Sequence, residues 1–305
     1  MSTAVTIAPE TFTTSGGIRL RVVEEGTADA PLTVVFVHGW TLTKHTWDRV
    51  AAGLPAAAGT PVRIVRYDHR GHGESDAAPP GTATIAQCAD DLAELIRERV
   101  PDGPIVLAGH SMGGMTLMAL AERHRDLFDA RVVGVALVAT SAGDLAAPSL
   151  GLPEPVAVVV GRGERLVRKR LAGARGRRLS RQAGWMRPGL RWLLFGRRPR
   201  PEDVADTAEW VAACNPANMA GFRESLAEHE RLHALEAMRS IPAVVLAGLS
   251  DRLIAQSHAV RLAEALPDAR FMLYAGAGHM LPLERTDEVT ARIAHVVRTA
   301  AAGRR

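Results

Sequence analysis

The sequence predicts an α/β fold in which a mostly parallel sheet is covered by helices on both faces. Three features support this prediction: short apolar runs typical of buried strands, apolar residues at helical spacing between them, and a regular alternation of the two. The chain has 305 residues, of which 47% are apolar and 23% charged, and this composition is ordinary for a globular protein with a sizeable core.

The individual elements follow from these patterns in chain order. Residues 17–23 alternate apolar and basic side chains, as a half-buried strand does, and residues 32–37 form a continuous apolar run. Further strands are predicted at residues 62–67, 105–108, 132–138, 243–246 and 270–274. Helices are predicted at residues 85–100, 112–124, 258–266 and 287–297.

The alternation is interrupted between residues 141 and about 235. This stretch contains proline and glycine punctuation and helical apolar segments such as GLRWLLFG. We therefore expect an insertion between two parts of one sheet. The predicted core comprises residues 1–141 and 236–305, and residues 142–235 form the inserted domain.

The net charge of +4 is unevenly distributed. Between Arg162 and Arg200 there are 14 Lys or Arg residues and one acid, Glu164. This segment alone carries 14 − 1 = +13, so the rest of the chain carries 4 − 13 = −9. The basic character belongs to the inserted segment and not to the molecule as a whole.

Cysteines and terminal segments indicate the compartment. Cys88 and Cys214 lie far apart and match neither a disulfide framework nor a metal-site spacing, so no metal is expected. The first residues, MSTAVTIAPETF, have no signal-peptide pattern, and the apolar run VAVVV at 156–160 is too short to cross a bilayer. A cytoplasmic protein is expected.

The stretch LAGHSMGGM places Ser111 between a predicted strand and a predicted helix, with Gly109 and Gly113 two residues away on either side. A serine hydroxyl needs a base to act as a nucleophile, and a sharp turn of this kind exposes the hydroxyl at the start of the helix. The alternative is a serine N-cap in a glycine-rich turn. Asp251 and His279 each follow another predicted strand, at the edge where parallel sheets hold their sites.

Three motifs together resemble the α/β-hydrolase superfamily, within its lid-bearing branch of esterases, lipase-like and peroxidase-like hydrolases. They are LAGHSMGGM, VFVHGWT at residues 35–41, and YDHRGHGES at residues 67–75, where Asp68, Arg70, Gly71, Gly73 and Ser75 match a D-x-R-G-x-G-x-S turn. The resemblance covers about residues 10–140 and 240–300. It implies an α/β-hydrolase fold with a helical lid inserted after the sixth strand, and a structural role for the Asp68 turn.

The resemblance also implies roles for the site residues. Ser111 would be the nucleophile, His279 the base and Asp251 the acid, in the family's chain order, although Asp144 lies where some members place the acid. The backbone amides of Trp40 and Met112 would form the oxyanion hole.

Other residues near this predicted site have less direct roles. His38 is expected to hold its loop by hydrogen bonds. Trp40 and His110 are predicted to contact the substrate, and Trp40 is equally compatible with a pocket wall.

The expected function is a serine hydrolase that cleaves an apolar carboxylic ester or thioester through an acyl-enzyme, without a cofactor. A serine at position 111 argues against relatives that use an aspartate nucleophile. A carbon–carbon bond hydrolase, a perhydrolase or a biosynthetic enzyme of the same fold stays open, as does a ligand-binding protein on a hydrolase scaffold.

The arginine cluster leaves its own alternatives open: a solvated face, an anionic membrane surface, or an acidic substrate or acyl carrier. Binding to nucleic acid is not expected, because no binding motif accompanies the charge.

Overall fold

The computed structural model describes residues 10–27, 29–145, 169–173, 176 and 178–303. These residues contain one eight-stranded sheet. Its strands are β1 (Glu10–Thr13), β2 (Arg19–Glu25), β3 (Thr33–Val37), β4 (Arg63–Tyr67), β5 (Ile105–His110), β6 (Val132–Val138), β7 (Ala243–Gly248) and β8 (Arg270–Tyr274).

The strand order across the sheet is β1-β2-β4-β3-β5-β6-β7-β8. From β4 to β8 all neighbours pair in parallel, whereas β2 is antiparallel to both β1 and β4. Strands β3 and β5 lie at the centre and are buried along their whole length. The carboxyl ends of the parallel strands therefore meet at one edge, as the alternation of elements predicts.

Helices cover both faces of the sheet. They are α1 (Asp48–Ala58), α2 (Ile85–Arg99), α3 (Met112–Arg123), α4 (Arg125–Arg131), α5 (Arg187–Leu194), α6 (Pro201–Ala213), α7 (Pro216–Ala227), α8 (Gln256–Ala265), α9 (Leu281–Glu284) and α10 (Thr286–Ala302). Side chains alternate between the faces along each strand, so that Val35 joins the core under α2 and α3, while Val34 joins the core under α1 and α10.

The segment between β6 and β7 contributes α5, α6 and α7 within the described residues. Helix α5 covers the first six residues of the GLRWLLFG stretch that the sequence indicates as helical, and it ends before Phe195. The predicted division into a core and a lid domain stays a prediction. None of the helices in the described ranges is long and apolar enough to cross a membrane.

Several elements of the core escape the sequence patterns, among them β1 and α1. Strand β1 is a four-residue edge strand with one buried side chain, Phe12, too short for a periodic signal. Helix α1 contains Gly53 and Pro55, which are typical helix breakers, yet it buries Val50, Leu54 and Ala58 and ends at Gly59 in the left-handed conformation. In α1 tertiary burial outweighs local propensity.

Candidate active site

Ser111 occupies the turn between β5 and α3. Its backbone has φ 54 and ψ −121, a strained conformation for a residue with a side chain. Hydrogen bonds on both sides hold it there: its amide donates to the Val138 carbonyl at 2.9 Å, and the Thr140 hydroxyl donates to its carbonyl at 2.7 Å. Its side chain makes no capping hydrogen bond to α3, which removes the N-cap interpretation of this serine.

The glycines flanking the serine allow this turn to pack closely. A Cβ atom on Gly113 would lie 2.1 Å from the Val37 carbonyl oxygen, and one on Gly109 would lie 2.6 Å from the Gly114 amide nitrogen. Both distances are far inside van der Waals contact. The G-x-S-x-G spacing is therefore required by the backbone packing of the strand-to-helix turn.

His279 and Asp251 form a buried pair at the carboxyl ends of β8 and β7. The imidazole Nδ1 lies 2.8 Å from Asp251 Oδ2, and the two side chains are 3% and 1% exposed. The other oxygen, Oδ1, accepts the amides of Leu253 and Ile254 at 2.8 and 2.9 Å. With Nδ1 bound to Asp251, Nε2 is the nitrogen available to take a proton from another group.

Asp144, the alternative acid, lies elsewhere. Its side chain is 66% exposed and forms an ion pair with Arg261. Of the two acids that the sequence offers, the structure brings only Asp251 to His279.

The loop that carries His279 is fastened to the end of α5. The carbonyl of Leu194 accepts the amides of His279 and Met280 at 2.8 and 3.2 Å. The carboxylate of Glu284 bridges the same two segments, accepting the Gly196 amide at 2.7 Å and the Gly278 amide at 3.0 Å. Burial raises the pKa of Glu284 despite these hydrogen bonds. The bridging role of Glu284 is not predicted from the sequence, although an acid at the end of the apolar stretch HMLPLE is a visible signal.

His38 shapes the loop after β3. Its Nδ1 donates to the Gly39 carbonyl at 2.8 Å, while its Nε2 accepts the His69 amide at 3.0 Å. Burial lowers the pKa of His38 to about 4, so the ring is neutral and its tautomer is set by these two bonds. The expected loop-holding role of His38 agrees with this geometry.

The amides predicted to form an oxyanion hole lie on either side of the serine turn. Trp40 belongs to the loop after β3, and Met112 is the first residue of α3. Within the described part of the chain, neither amide donates to a protein acceptor. The Trp40 indole N–H is also buried without an acceptor there. These three N–H groups therefore have no acceptor among the described residues.

An apolar cavity of about 350 Å³ opens onto Ser111 and His279. Trp40 is part of its wall, and only Thr41 and Arg223 add polar side chains to those two residues. The segment between β6 and β7 supplies eight of its seventeen lining residues: Leu145, Leu190, Leu193, Leu194, Val211, Met219, Arg223 and Leu226. The cavity can accept a small apolar molecule beside the serine hydroxyl.

His110, which the sequence analysis assigns to substrate contact, is placed differently. It is fully buried, does not line the cavity, and its Nε2 donates to the His279 carbonyl at 2.9 Å. Burial, with the nearby His279, lowers the pKa of His110 to about 3. This placement favours a role in positioning His279 and does not support direct contact with substrate.

Other apolar residues of the segment between β6 and β7 lie in several different environments. Phe195 is buried, Trp210 is partly buried, and Trp192 is 48% exposed. Val156 and Val159, like most of the segment 156–174, lie outside the described residues.

The turn Asp68–Ser75 directly follows strand β4. Asp68 accepts the Lys44 amide at 2.7 Å, the Lys44 ammonium at 2.9 Å and the Glu74 amide at 3.0 Å. Ser75 donates to the Asp68 carbonyl at 2.6 Å. The first residue of the D-x-R-G-x-G-x-S motif is therefore hydrogen-bonded to its last two residues, which agrees with the expected structural role of the turn. The buried partner, Lys44, was not identified in the sequence analysis, because lysine is seldom buried.

Comparisons with known proteins agree with this architecture. A family model for the alpha/beta hydrolase fold matches residues 33–286. A pimeloyl-[acyl-carrier protein] methyl ester esterase of Aromatoleum aromaticum is 28% identical over 87% of this chain and 98% of its own length. A cis-3-alkyl-4-alkyloxetan-2-one decarboxylase of Xanthomonas campestris pv. campestris is 28% identical over 92% of each chain.

Other matches are either local or structural. A probable oxidoreductase EphD of Mycobacterium bovis is 40% identical over 100 residues, but the match covers 32% of this chain and 16% of that relative's length. The solved structure of a thermophilic esterase from Thermogutta terrifontis has a TM-score of 0.74 and 28% identity, and the match covers 98% of this chain and 99% of that one. Because the family model spans most of the chain, the protein belongs to the alpha/beta hydrolase family.

Proposed function

We propose that this protein is a serine hydrolase that cleaves a carboxylic ester, or a thioester, with an apolar acyl group. The observation that carries the proposal is the His279–Asp251 pair facing the same apolar cavity as the strained Ser111 turn. Membership of a family with esterase-named relatives supports an ester bond as the target.

In the proposed reaction, Ser111 Oγ attacks the substrate carbonyl carbon while His279 Nε2 takes the hydroxyl proton. Asp251 orients the imidazole and stabilises the imidazolium that forms. The amides of Trp40 and Met112 donate to the oxyanion. His279 then gives its proton to the leaving alcohol or thiol, which departs and leaves an acyl-serine. A water molecule, deprotonated by His279, attacks this intermediate and releases the acid, which restores Ser111. None of these steps requires a metal or an organic cofactor.

The nature of the cavity supports the substrate class. Thirteen of its seventeen lining residues are apolar or aromatic, and such a wall favours a hydrocarbon acyl group over a sugar or a peptide. Since the segment between β6 and β7 supplies about half of the lining, we infer that this segment acts as the lid of the site.

The test is an assay of p-nitrophenyl esters from acetate to palmitate with wild type, Ser111→Ala and Ser257→Ala. Ser257 is an exposed serine on α8 and serves as the matched control. We expect Ser111→Ala to lose at least about 10³-fold in kcat/KM, because the nucleophile is removed, and Ser257→Ala to match wild type. Turnover retained in Ser111→Ala would contradict the proposal.

A fluorophosphonate probe separates the competing functions. Labelling of Ser111 without cleavage of any ester would indicate an active serine that acts on a different bond, as in a carbon–carbon hydrolase, a perhydrolase or a biosynthetic enzyme. Neither labelling nor turnover would indicate a ligand-binding protein on a hydrolase scaffold.

A further inference from the structure

Helix α5 has two faces of different character. Leu190, Leu193 and Leu194 point inward and line the cavity, at the spacing of one helical stripe. The opposite side of the helix is exposed to solvent. This one helix therefore forms the wall between the candidate active site and the protein surface.

Large apolar side chains lie on the exposed side. Trp185 is 71% exposed, the largest value among the exposed large hydrophobic residues of the described chain, and Trp192 is 48% exposed. Trp185, Pro188 and Trp192 recur at intervals of three and four residues, which aligns them along one side of the helix and of the turn that precedes it. Two exposed indoles on one stripe form an apolar patch that water solvates poorly.

Positive charge flanks this stripe on one side. Arg187 and Arg191 lie one helical turn apart on α5, on a neighbouring stripe of the helix and not on the tryptophan stripe itself. Residues 178–200 contain seven arginines and no acidic residue. Across the described ranges, no ion pair joins any of these seven arginines to a carboxylate.

We propose that the Trp–Arg surface, formed by Trp185, Arg187, Pro188, Arg191 and Trp192, binds an anionic lipid bilayer. Tryptophan is favoured at the boundary between lipid headgroups and acyl chains, and arginine is attracted to the phosphate groups above it. The helix would lie in the plane of the membrane surface, with its leucines facing the cavity and its tryptophans facing the lipid.

The charge pattern disfavours the two other occupants of such a patch. A symmetric dimer through this face would bring Arg187 and Arg191 of both copies together, without acids to neutralise them. An acidic carrier protein would satisfy the arginines but would leave two indoles without an apolar partner. An anionic membrane satisfies both kinds of side chain.

Docking in this orientation has a consequence for substrate supply. A helix is about 10 Å across, so the cavity would lie about that distance from the lipid phase. An apolar acyl ester could then reach Ser111 from the membrane with little exposure to water. Only this last point rests on the proposed function, since membrane binding itself is independent of turnover.

The experiment measures binding without any reaction. Purified wild-type protein is mixed with phosphatidylcholine vesicles, with or without phosphatidylserine, and the bound fraction is determined by flotation. We expect binding only with phosphatidylserine, weakened by added salt, and a blue shift of tryptophan fluorescence. No binding of the wild type to phosphatidylserine vesicles would overturn the proposal.

Variants test whether this surface is responsible. Arg187→Gln/Arg191→Gln should lower the partition coefficient about 25-fold, because each arginine near the surface contributes about fivefold. Trp185→Ala/Trp192→Ala should lower it on the order of tenfold or more and abolish the blue shift. The control, Arg123→Gln/Arg125→Gln, removes the same charge from the end of α3 and the start of α4. These residues precede the amino end of β6, whereas the candidate site lies at the carboxyl ends of the strands, so the control should bind like wild type.

Two further outcomes would overturn the proposal. Equal loss of binding in the control would reduce the effect to net charge and overturn the proposal. A wild-type dimer in sedimentation, dissociated by Trp185→Ala/Trp192→Ala, would identify a second copy as the occupant. Turnover of a water-soluble ester should be the same in all these variants and in wild type, which keeps this test separate from that of the proposed function.

Discussion

Asp68 and Asp251 are both buried carboxylates beside a histidine, yet their surroundings differ. Asp68 is bound by the Lys44 ammonium at 2.9 Å, so its charge is permanently neutralised. Asp251 is held by two backbone amides and by His279, and no lysine or arginine pairs with it in the described residues. Two similar side chains thus have different electrostatic partners.

This difference indicates what each carboxylate can do. A carboxylate paired with a permanent cation stabilises a turn. Because its charge is already balanced, it attracts a positive charge that forms on a nearby histidine only weakly. A carboxylate held only by neutral donors keeps its charge available, and it can stabilise an imidazolium that forms during a reaction. Burial alone would raise the pKa of Asp68, but its neighbours His38 and Lys44 and two backbone amides hold it below its ordinary value.

The largest expected effect is on activity, from Asp251→Asn. The amide preserves the size of the side chain but removes its charge, so we expect kcat to fall about 10⁴-fold with little change in the free energy of unfolding. Ester turnover and urea unfolding measure the two quantities. Asp144→Asn is the control and should retain wild-type turnover, since Asp144 is exposed and pairs with Arg261. If Asp144→Asn lost turnover and Asp251→Asn retained it, Asp144 would be the acid instead.

Asp68→Asn should show the opposite pattern. It leaves the buried Lys44 ammonium with only the more exposed Glu74 carboxylate as a partner, at 2.6 Å, and we expect the free energy of unfolding to fall by about 3 kcal/mol. The molecules that remain folded should keep most of their activity. Urea unfolding checks the first expectation and turnover per folded molecule the second. In the double variant Lys44→Met/Asp68→Asn, much of the stability should return, and a double variant less stable than Asp68→Asn would disprove the neutralising role of Lys44.

Acid should weaken the region around Asp68. Burial lowers the pKa of His38 to about 4, that of His72 to about 3, and that of His69 well below its ordinary value. The unfolded chain binds these protons near pH 6.5, so stability is fully present above pH 6.5 and is lost as pH falls from 6.5 toward 4. Three such groups give a slope of up to about 4 kcal/mol per pH unit.

The measurement for this prediction is the free energy of unfolding from urea titrations across that pH window. His233→Asn is the control, because His233 is 66% exposed and should not alter the slope. A stability that stays constant from pH 6.5 to 4 would show that these rings are protonated in the folded state.

Glu284→Gln should have the smallest effect and should act through His279. Glutamine retains only one acceptor oxygen for the amides of Gly196 and Gly278, so one of the two bridging bonds is lost. We expect kcat to fall about tenfold, with a smaller change in KM, because the histidine loop is less firmly held. Steady-state kinetics checks this split, with Glu288→Gln, an exposed acid on α10, as the control. A change confined to KM would instead assign Glu284 to the cavity wall.

The sequence predicts the parallel strands of the sheet well, both β6, which is buried along most of its length, and the more exposed edge strand β8. Strands β6 and β8 begin and end at the predicted residues, and Ser111, Asp251 and His279 lie at the expected carboxyl ends. The structure brings these three residues to one site, while their catalytic roles stay predictions. Parallel strands give strong signals because both faces must be apolar, which fixes their position along the chain.

What the sequence does not predict depends on contacts between distant residues. The pairing of Lys44 with Asp68 and the bridge from Glu284 to Gly196 join positions 24 and 88 residues apart, with no local pattern to indicate them. Helix α1 with its internal Pro55 is missed for the same reason, because its stability comes from packing against α10. Likewise, His110 is next to Ser111 in sequence, yet it is fully buried and is not one of the residues that line the cavity.

The close backbone contact between Gly196 and Gly278 limits which changes to the cavity wall the fold can accept. A Cβ atom on Gly196 would lie 2.1 Å from the Gly276 carbonyl oxygen, and one on Gly278 would lie 2.6 Å from the Gly196 amide nitrogen. Moving α5 outward to admit bulkier compounds would therefore also displace the loop that carries His279. Substrate scope is better widened by shortening side chains such as Leu190 and Leu193, which leaves the backbone junction intact.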